Sequence, residues 1–248
     1  MSNTVYRYIA LMTFILGVSF GCDSGGDHRF FEVNLGDEAF YSFDETEGAV
    51  TDNSSSTLLD GNIVGARREL GKVNNALYFG LNLPSYVEFE VHDEVLRRGI
   101  KIDFPLNEVS VEAWIKLESL DTNKTYSFFT SDSFRIDVVS NQVVVTLTSG
   151  SAFELIRTDE VFGVDTWYHF SFTYDGSSAK IFINGELNNQ SSIVTTLESS
   201  VNTLYLGGIG GYRSSGNTES FPGYIDEFRF SQQLRTAQEI SDYYNLTN

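Results

Sequence analysis

Trp167-Tyr168-His169-Phe170-Ser171-Phe172-Thr173-Tyr174-Asp175-Gly176, followed shortly by Ile181-Phe182-Ile183-Asn184-Gly185, decides the fold of this chain. Two alternating apolar runs flank Asp-Gly, and the second run ends on Asn-Gly. These dipeptides tolerate the positive φ of a primed hairpin turn, so the stretch predicts two antiparallel strands and two tight turns. His169 shares a strand face with Trp167, Ser171 and Thr173, which marks it as a strand residue rather than a metal ligand.

The same reading extends outward. Residues 39–43, 74–79, 85–91, 109–117, 126–129, 133–139, 142–148, 153–158, 203–206 and 223–230 carry strand patterns separated by turn residues. Short spacing without intervening helices predicts an all-β, two-sheet antiparallel jelly-roll sandwich rather than βαβ units. In 109–117, Val109, Val111, Ala113, Ile115 and Leu117 share one face, and Ser110, Glu112, Trp114 and Lys116 the other. One helix is predicted at the end: Thr236 and Glu239 form a capping-box pair, and Ile240, Tyr243 and Tyr244 make one apolar stripe.

The chain has 248 residues, 20 Phe and 13 Tyr, enough aromatic surface for a large core. Its 34 acids outnumber its 16 Lys and Arg, for a net charge of −18. Such a charge repels nucleic acid and is compatible with a cation or a neutral glycan. The single cysteine, Cys22, excludes an intrachain disulfide and any cysteine-built zinc or redox site.

Residues 8–20 form an apolar run behind Arg7, too short to span a bilayer and of the size of a signal-peptide core. Gly21 and Cys22 follow, and the whole resembles a bacterial lipoprotein signal. The expectation is a signal peptide over 1–21, lipidation of Cys22, a polar tether over 22–38 and one domain over 39–248. A multi-chain lipid anchor would then hold the domain at the cell envelope, on the outer membrane.

Asp226 is the carboxylate of most interest. Strict alternation places it with Tyr224, Phe228 and Phe230, opposite Ile225, Glu227 and Arg229. A charge on an apolar face needs a partner. Two partners fit: calcium, which takes carboxylate and carbonyl oxygens, or backbone N–H groups from a neighbouring loop. The acidic loop Asp44-Glu45-Thr46-Glu47-Gly48, with Asp52, offers further oxygens without matching an EF-hand. Glu88 and Glu90 alternate with Val87, Phe89 and Val91 and read as a solvent face rather than a glycosidase pair. Gly207-Gly208-Ile209-Gly210-Gly211 opens no helix and reads as a flexible turn at a binding edge with Tyr212 and Arg213. Trp114, Tyr126 and Tyr212 are candidate rings for stacking on a sugar. The absence of a Gly-x-Ser-x-Gly elbow removes support for a hydrolase triad.

Six blocks in order then resemble the laminin-G-like jelly-roll family of the concanavalin A-like lectin/glucanase superfamily. They are residues 40–48 with 51–54, 71–79 with Tyr86-Val87-Glu88, 109–116, 167–176, 181–185, and 223–230 with Gln233-Leu234-Arg235-Thr236. The resemblance implies two packed, curved sheets. It also implies that calcium, where present, would use Asp226 and Asp52, with Asp44 a weaker candidate. Ser55 and the pair Pro84-Ser85 depart from the family pattern. The functional expectation is a lipid-anchored, non-catalytic binding or adhesion module for carbohydrate or an extracellular protein ligand. The alternatives are a structural or protein-interaction subunit of an envelope complex and a glycoside hydrolase.

Overall fold

The structure, a computed structural model, describes residues 38–51, 60–80, 84–89, 108–131, 134–149, 152–159, 162–195, 197, 204–209, 218–231 and 233–248. The predicted signal peptide, Cys22 and almost all of the tether lie outside them. The strands, in chain order, are β1 (Glu38–Tyr41), β2 (Val50–Thr51), β3 (Gly61–Val64), β4 (Arg67–Leu70), β5 (Asn75–Phe79) and β6 (Tyr86–Phe89). Next come β7 (Val109–Leu117), β8 (Thr125–Thr130), β9 (Phe134–Val139), β10 (Gln142–Ser149), β11 (Ala152–Arg157) and β12 (Trp167–Tyr174). Then follow β13 (Ser178–Ile183), β14 (Glu186–Ser192), β15 (Leu204–Leu206), β16 (Thr218–Ser220), β17 (Gly223–Ser231) and the helix α1 (Ala237–Thr247).

They form a two-sheet jelly-roll sandwich. One sheet has eight strands in the order β14-β13-β12-β7-β17-β5-β4, with β1 also on β17. The other has nine, β11-β10-β9-β8-β15-β6-β3-β2, with β16 added to β8 in parallel. Between them lies a core rich in phenylalanine. Phe170 and Phe172 of β12 and Ile225, Phe228 and Phe230 of β17 face Phe128, Phe129, Phe134 and Ile136 of the other sheet.

The opening hairpin forms as the sequence predicts, with one difference. At Asn184-Gly185 both residues have positive φ (52° and 79°), as a type I′ turn requires. At Asp175 the loop is longer: Asp175 Oδ1 accepts N–H bonds from Ser177 and Ser178, and only Gly176 takes a positive φ. The aspartate side chain replaces a backbone acceptor, which removes the need for a primed turn. β4 (RREL) and β14 (ELNNQSS), which the sequence pattern does not predict, are polar edge strands with little alternation to read.

β17 departs from strict alternation. Asp226 lies opposite Trp114 and Arg229 opposite Glu112, so the two residues between them on β17, Glu227 and Phe228, match the single Ala113 on β7. The extra residue is Glu227, at φ 50°, and this bulge reverses the phase of the strand. Ile225, Phe228 and Phe230 therefore enter the core, while Asp226 turns outward beside Trp114. The expectation that Asp226 shares the face of Phe228 and Phe230 is corrected accordingly.

Helix α1 carries the predicted capping box: Thr236 Oγ1 accepts from Glu239 N, and the Glu239 carboxylate accepts from Thr236 N. It packs on the outward face of the eight-stranded sheet over polar groups. Glu112, fully buried, accepts from Arg235 Nε at 3.0 Å and pairs with His169 Nε2 at 3.0 Å. Tyr243 donates its hydroxyl to Glu227, and the Arg229 guanidinium lies 4.7 Å from the Tyr243 ring.

Candidate functional site

Across the outward face of the nine-stranded sheet runs one unbroken row of polar side chains. Strand register places Asn62, Glu88, Tyr205, Thr130, Arg135 and Thr146 directly opposite one another on six successive strands. Their chain neighbours Val87, Leu206, Phe129, Ile136 and Val145 point the other way, into the core. Period-two alternation thus leaves a hydrogen-bonding face outside. Tyr205 donates to Glu88 Oε1 at 2.9 Å, and its ring meets Tyr86 edge-on at 5.6 Å. Ser127 and Thr130 hydroxyls lie 2.9 Å apart.

Arg135 and Asp137 form the centre of this face. The guanidinium NH2 donates to Asp137 Oδ2 at 2.8 Å. The aspartate is 6% exposed, while the arginine side chain stands at 38%. Burial pushes the Asp137 carboxyl above its ordinary range against the pull of Arg135. Asp137 Oδ1 and Arg135 Nε are both buried and have no hydrogen-bond partner. A buried acceptor and a buried donor left without partners on side chains two residues apart are costly. They suit a group that both donates and accepts, as a hydroxyl does.

The sequence-predicted residues fall elsewhere. Trp114, expected on an exposed face, is 1% exposed: its indole donates to Thr247 Oγ1 and its ring packs on Tyr244 of α1. Tyr126 is 2% exposed and belongs to the core, with its hydroxyl accepting from Asp121 N. Neither presents a ring to a sugar. Asp52, Tyr212 and Arg213 lie outside the described residues. Tyr205, Arg135 and Asp137 were legible only as strand residues, because no local motif marks a row built from six strands.

Asp226 and Asp44 converge on one turn. Asp226 Oδ2 accepts from Lys72 N and Val73 N, each at 2.8 Å. Asp44 Oδ1 accepts from Asn75 N, and its Oδ2 accepts from the Asn74 amide. Glu45 is paired with Arg68. Backbone N–H binding, one of the two partners expected for Asp226, accounts for Oδ2; Oδ1 has no partner. Gly71 permits the approach, since a Cβ there would lie 2.5 Å from Asp226 Oδ2. Among the described residues no group of three His, Cys, Asp or Glu side chains is placed to hold a metal ion. One open oxygen is not a calcium site, so the described residues alone do not fit that cation.

Burial pushes the Asp226 carboxyl up to about 8, against the N–H groups that favour its charge. The folded value lies above the unfolded one. Its contribution to stability is therefore complete below the ordinary carboxylate range and lost as pH climbs through about 8. Asp226→Asn is expected to flatten this fall between about pH 5 and about pH 8, measured by urea unfolding at both. An identical pH slope in the variant would contradict the assignment.

Residues 86–241 match the family model Laminin_G_3, described as the concanavalin A-like lectin/glucanases superfamily. No curated protein sequence matches the chain. Among solved structures it is similar to domain 4 of AbnA, a GH43 extracellular arabinanase from Geobacillus stearothermophilus, in complex with arabinotriose. There the identity is 23% and the TM-score 0.63, over 82% of this chain and 96% of that one. It is also similar to the binding domain of Paraclostridial Mosquitocidal Protein 1, at 14% identity and TM-score 0.62, over 85% of this chain and 52% of that one. The binding domain of botulinum neurotoxin DC in complex with rat synaptotagmin II gives 13% and 0.62, over 85% and 51%. The chain thus spans about half of each toxin chain. These likenesses concern the fold. With the family match covering most of its length and the two-sheet topology agreeing, the chain belongs to the concanavalin A-like lectin/glucanases superfamily.

Proposed function

We propose that this chain is a non-catalytic binding module, held at the bacterial cell envelope through Cys22, that takes a neutral glycan on the outward face of the nine-stranded sheet. The observation that carries the reading is the open pair Asp137 Oδ1 and Arg135 Nε within a row of hydroxyls and a carboxylate. A sugar hydroxyl accepts from Arg135 Nε and donates to Asp137 Oδ1. Arg135 is already neutralised by Asp137, Glu88 adds a negative charge, and the whole chain is at −18, so an anionic glycan is disfavoured. Domain 4 of AbnA, which has this fold, is itself seen with arabinotriose.

Sheet geometry argues against hydrolysis by the described carboxylates of this face. Glu88 on β6 and Asp137 on β9 are three strand spacings apart, roughly 14 Å. Glycosidase pairs need roughly 5–9.5 Å. The anchor rests on the leader sequence and Cys22.

A glycan array probed with the purified domain tests the reading. Neutral oligosaccharides are expected to bind, and Asp137→Ala to weaken them about ten- to hundredfold, as loss of a charged hydrogen bond does. Equal binding by the variant would refute this site.

A further inference from the structure

The C-terminal helix covers the eight-stranded sheet without joining the core. Of its eleven residues Ile240 alone is fully buried, and Ile240 is not among the side chains packed between the sheets. The face beneath is polar. Glu112, His169, Ser171 and Asp226 all have 0% exposure, although register places them on the outward side, around Trp114. His169 Nδ1, Ser171 Oγ and Asp226 Oδ1 have no hydrogen-bond partner. Burial without a partner destabilises each of them, and water would relieve it. Polar ties hold the helix body: Tyr243 donates to Glu227, Trp114 Nε1 to Thr247 Oγ1 at 2.9 Å, and Lys72 Nζ to Asn248 Oδ1 at 3.1 Å. The Tyr243 and Tyr244 rings each lie 5.9 Å from the His169 ring. The segment leading into the helix is pinned separately. Ser110 Oγ donates to Gln233 O at 2.9 Å and accepts from Arg235 N at 2.8 Å, and Arg235 Nε donates to Glu112 at 3.0 Å. Thr236 follows in an extended conformation, with φ −75° and ψ 155°.

We infer that α1 is a hinged cover, which lifts from the sheet as one unit beyond Arg235 while both sheets stay folded. Its lifting uncovers the face that carries Trp114 and His169. Three observations support the movement. No strand follows α1 in the chain, so its departure breaks no strand pairing. Ser110 and Glu112 keep the chain fixed as far as Arg235, and the change of direction falls on Thr236, a single element-terminal residue of the kind that serves as a hinge. The balance of contacts also favours opening over global unfolding. Lifting exposes Ile240 and two tyrosine rings, but water replaces the three polar ties at small net cost and reaches the open atoms beneath. The phenylalanine core between the sheets is untouched. Such a unit opens at a free energy well below that of the strands. Access to Trp114 and His169 then depends on the position of α1.

Hydrogen exchange of the full chain, in urea concentrations below the unfolding transition, tests the cover. Off the sheet, eleven residues are too few to keep a stable helix, so the amides of α1 exchange whenever it lifts. Those from Ile240 onward are expected to exchange together, about a hundredfold or more faster than the amides of β7 and β12, and with little dependence on urea. Tyr243→Phe removes the tie to Glu227. It should speed exchange in α1 about tenfold and leave β7 and β12 unchanged. Exchange of α1 at the rate and urea dependence of β7 would overturn the inference, because the helix would then leave only when the whole domain unfolds. Fast exchange confined to 245–247, with Ile240 and Ser241 as slow as β7, would overturn it too, since that is fraying of a helix end. A Tyr243→Phe variant that speeds α1, β7 and β12 alike would count equally against it.

Discussion

Replacing Glu112 by alanine is expected to remove about 3–5 kcal/mol of stability and to release the C-terminal helix. Glu112 sits at the centre of β7 with no solvent exposure. Its two oxygens serve two partners, His169 Nε2 and Arg235 Nε, each at 3.0 Å. Without the carboxylate, a guanidinium whose side chain is 15% exposed and a fully buried imidazole lose their acceptor. Desolvation of the survivors then sets the cost, which exceeds what the intact pair contributes. The damage is directional. Arg235 leads into α1, its backbone N–H is held by Ser110 Oγ at 2.8 Å, and the same hydroxyl donates to Gln233 O. Urea unfolding reads the total loss, and hydrogen exchange over 237–247 reads the helix. Loss below about 1 kcal/mol, the scale of an exposed pair, would show that Glu112 does not hold the helix.

Phe228→Ala is expected to cost a similar amount, about 3–5 kcal/mol. Phe228 is 1% exposed and joins both sheets to the N-terminal strand. Its ring lies 6.0 Å from Tyr41 of β1, 6.0 Å from Phe89 of β6 and 5.5 Å from Phe129 of β8. Deleting it removes a contact from each and leaves a cavity that rigid strands cannot close. Leu187→Ala, at a residue 52% exposed, serves as the control and should stay within about 0.5 kcal/mol. If the two variants shift the urea midpoint alike, Phe228 is not the keystone that its position between the sheets implies.

The fold was legible because its strands obey local rules. In β7 and β12 alternation assigns each face, and at Asn184-Gly185 the dipeptide alone predicts the turn. The capping box of α1 was equally readable from Thr236 and Glu239. Alternation failed at Glu227, where one residue with positive φ turned Asp226 away from the core. A bulge is set by the tertiary pairing of β17 with β7, which local pattern does not contain. Trp114 failed for a related reason. It does lie on the polar face of β7, as alternation requires, but the helix that covers it arrives 123 or more residues later in the chain. The polar row of Glu88, Tyr205, Thr130 and Arg135 was hidden because its members come from four separate strands. Their juxtaposition is a property of register, and register is fixed only when the sheets close.

Calorimetric titration of a neutral oligosaccharide selected on the array into the wild type and Asp137→Ala tests the central claim most directly. The account predicts saturable binding to the wild type, about ten- to hundredfold weaker in the variant. Identical isotherms for the two proteins would contradict it, because the open acceptor on Asp137 would then have no part in holding the ligand.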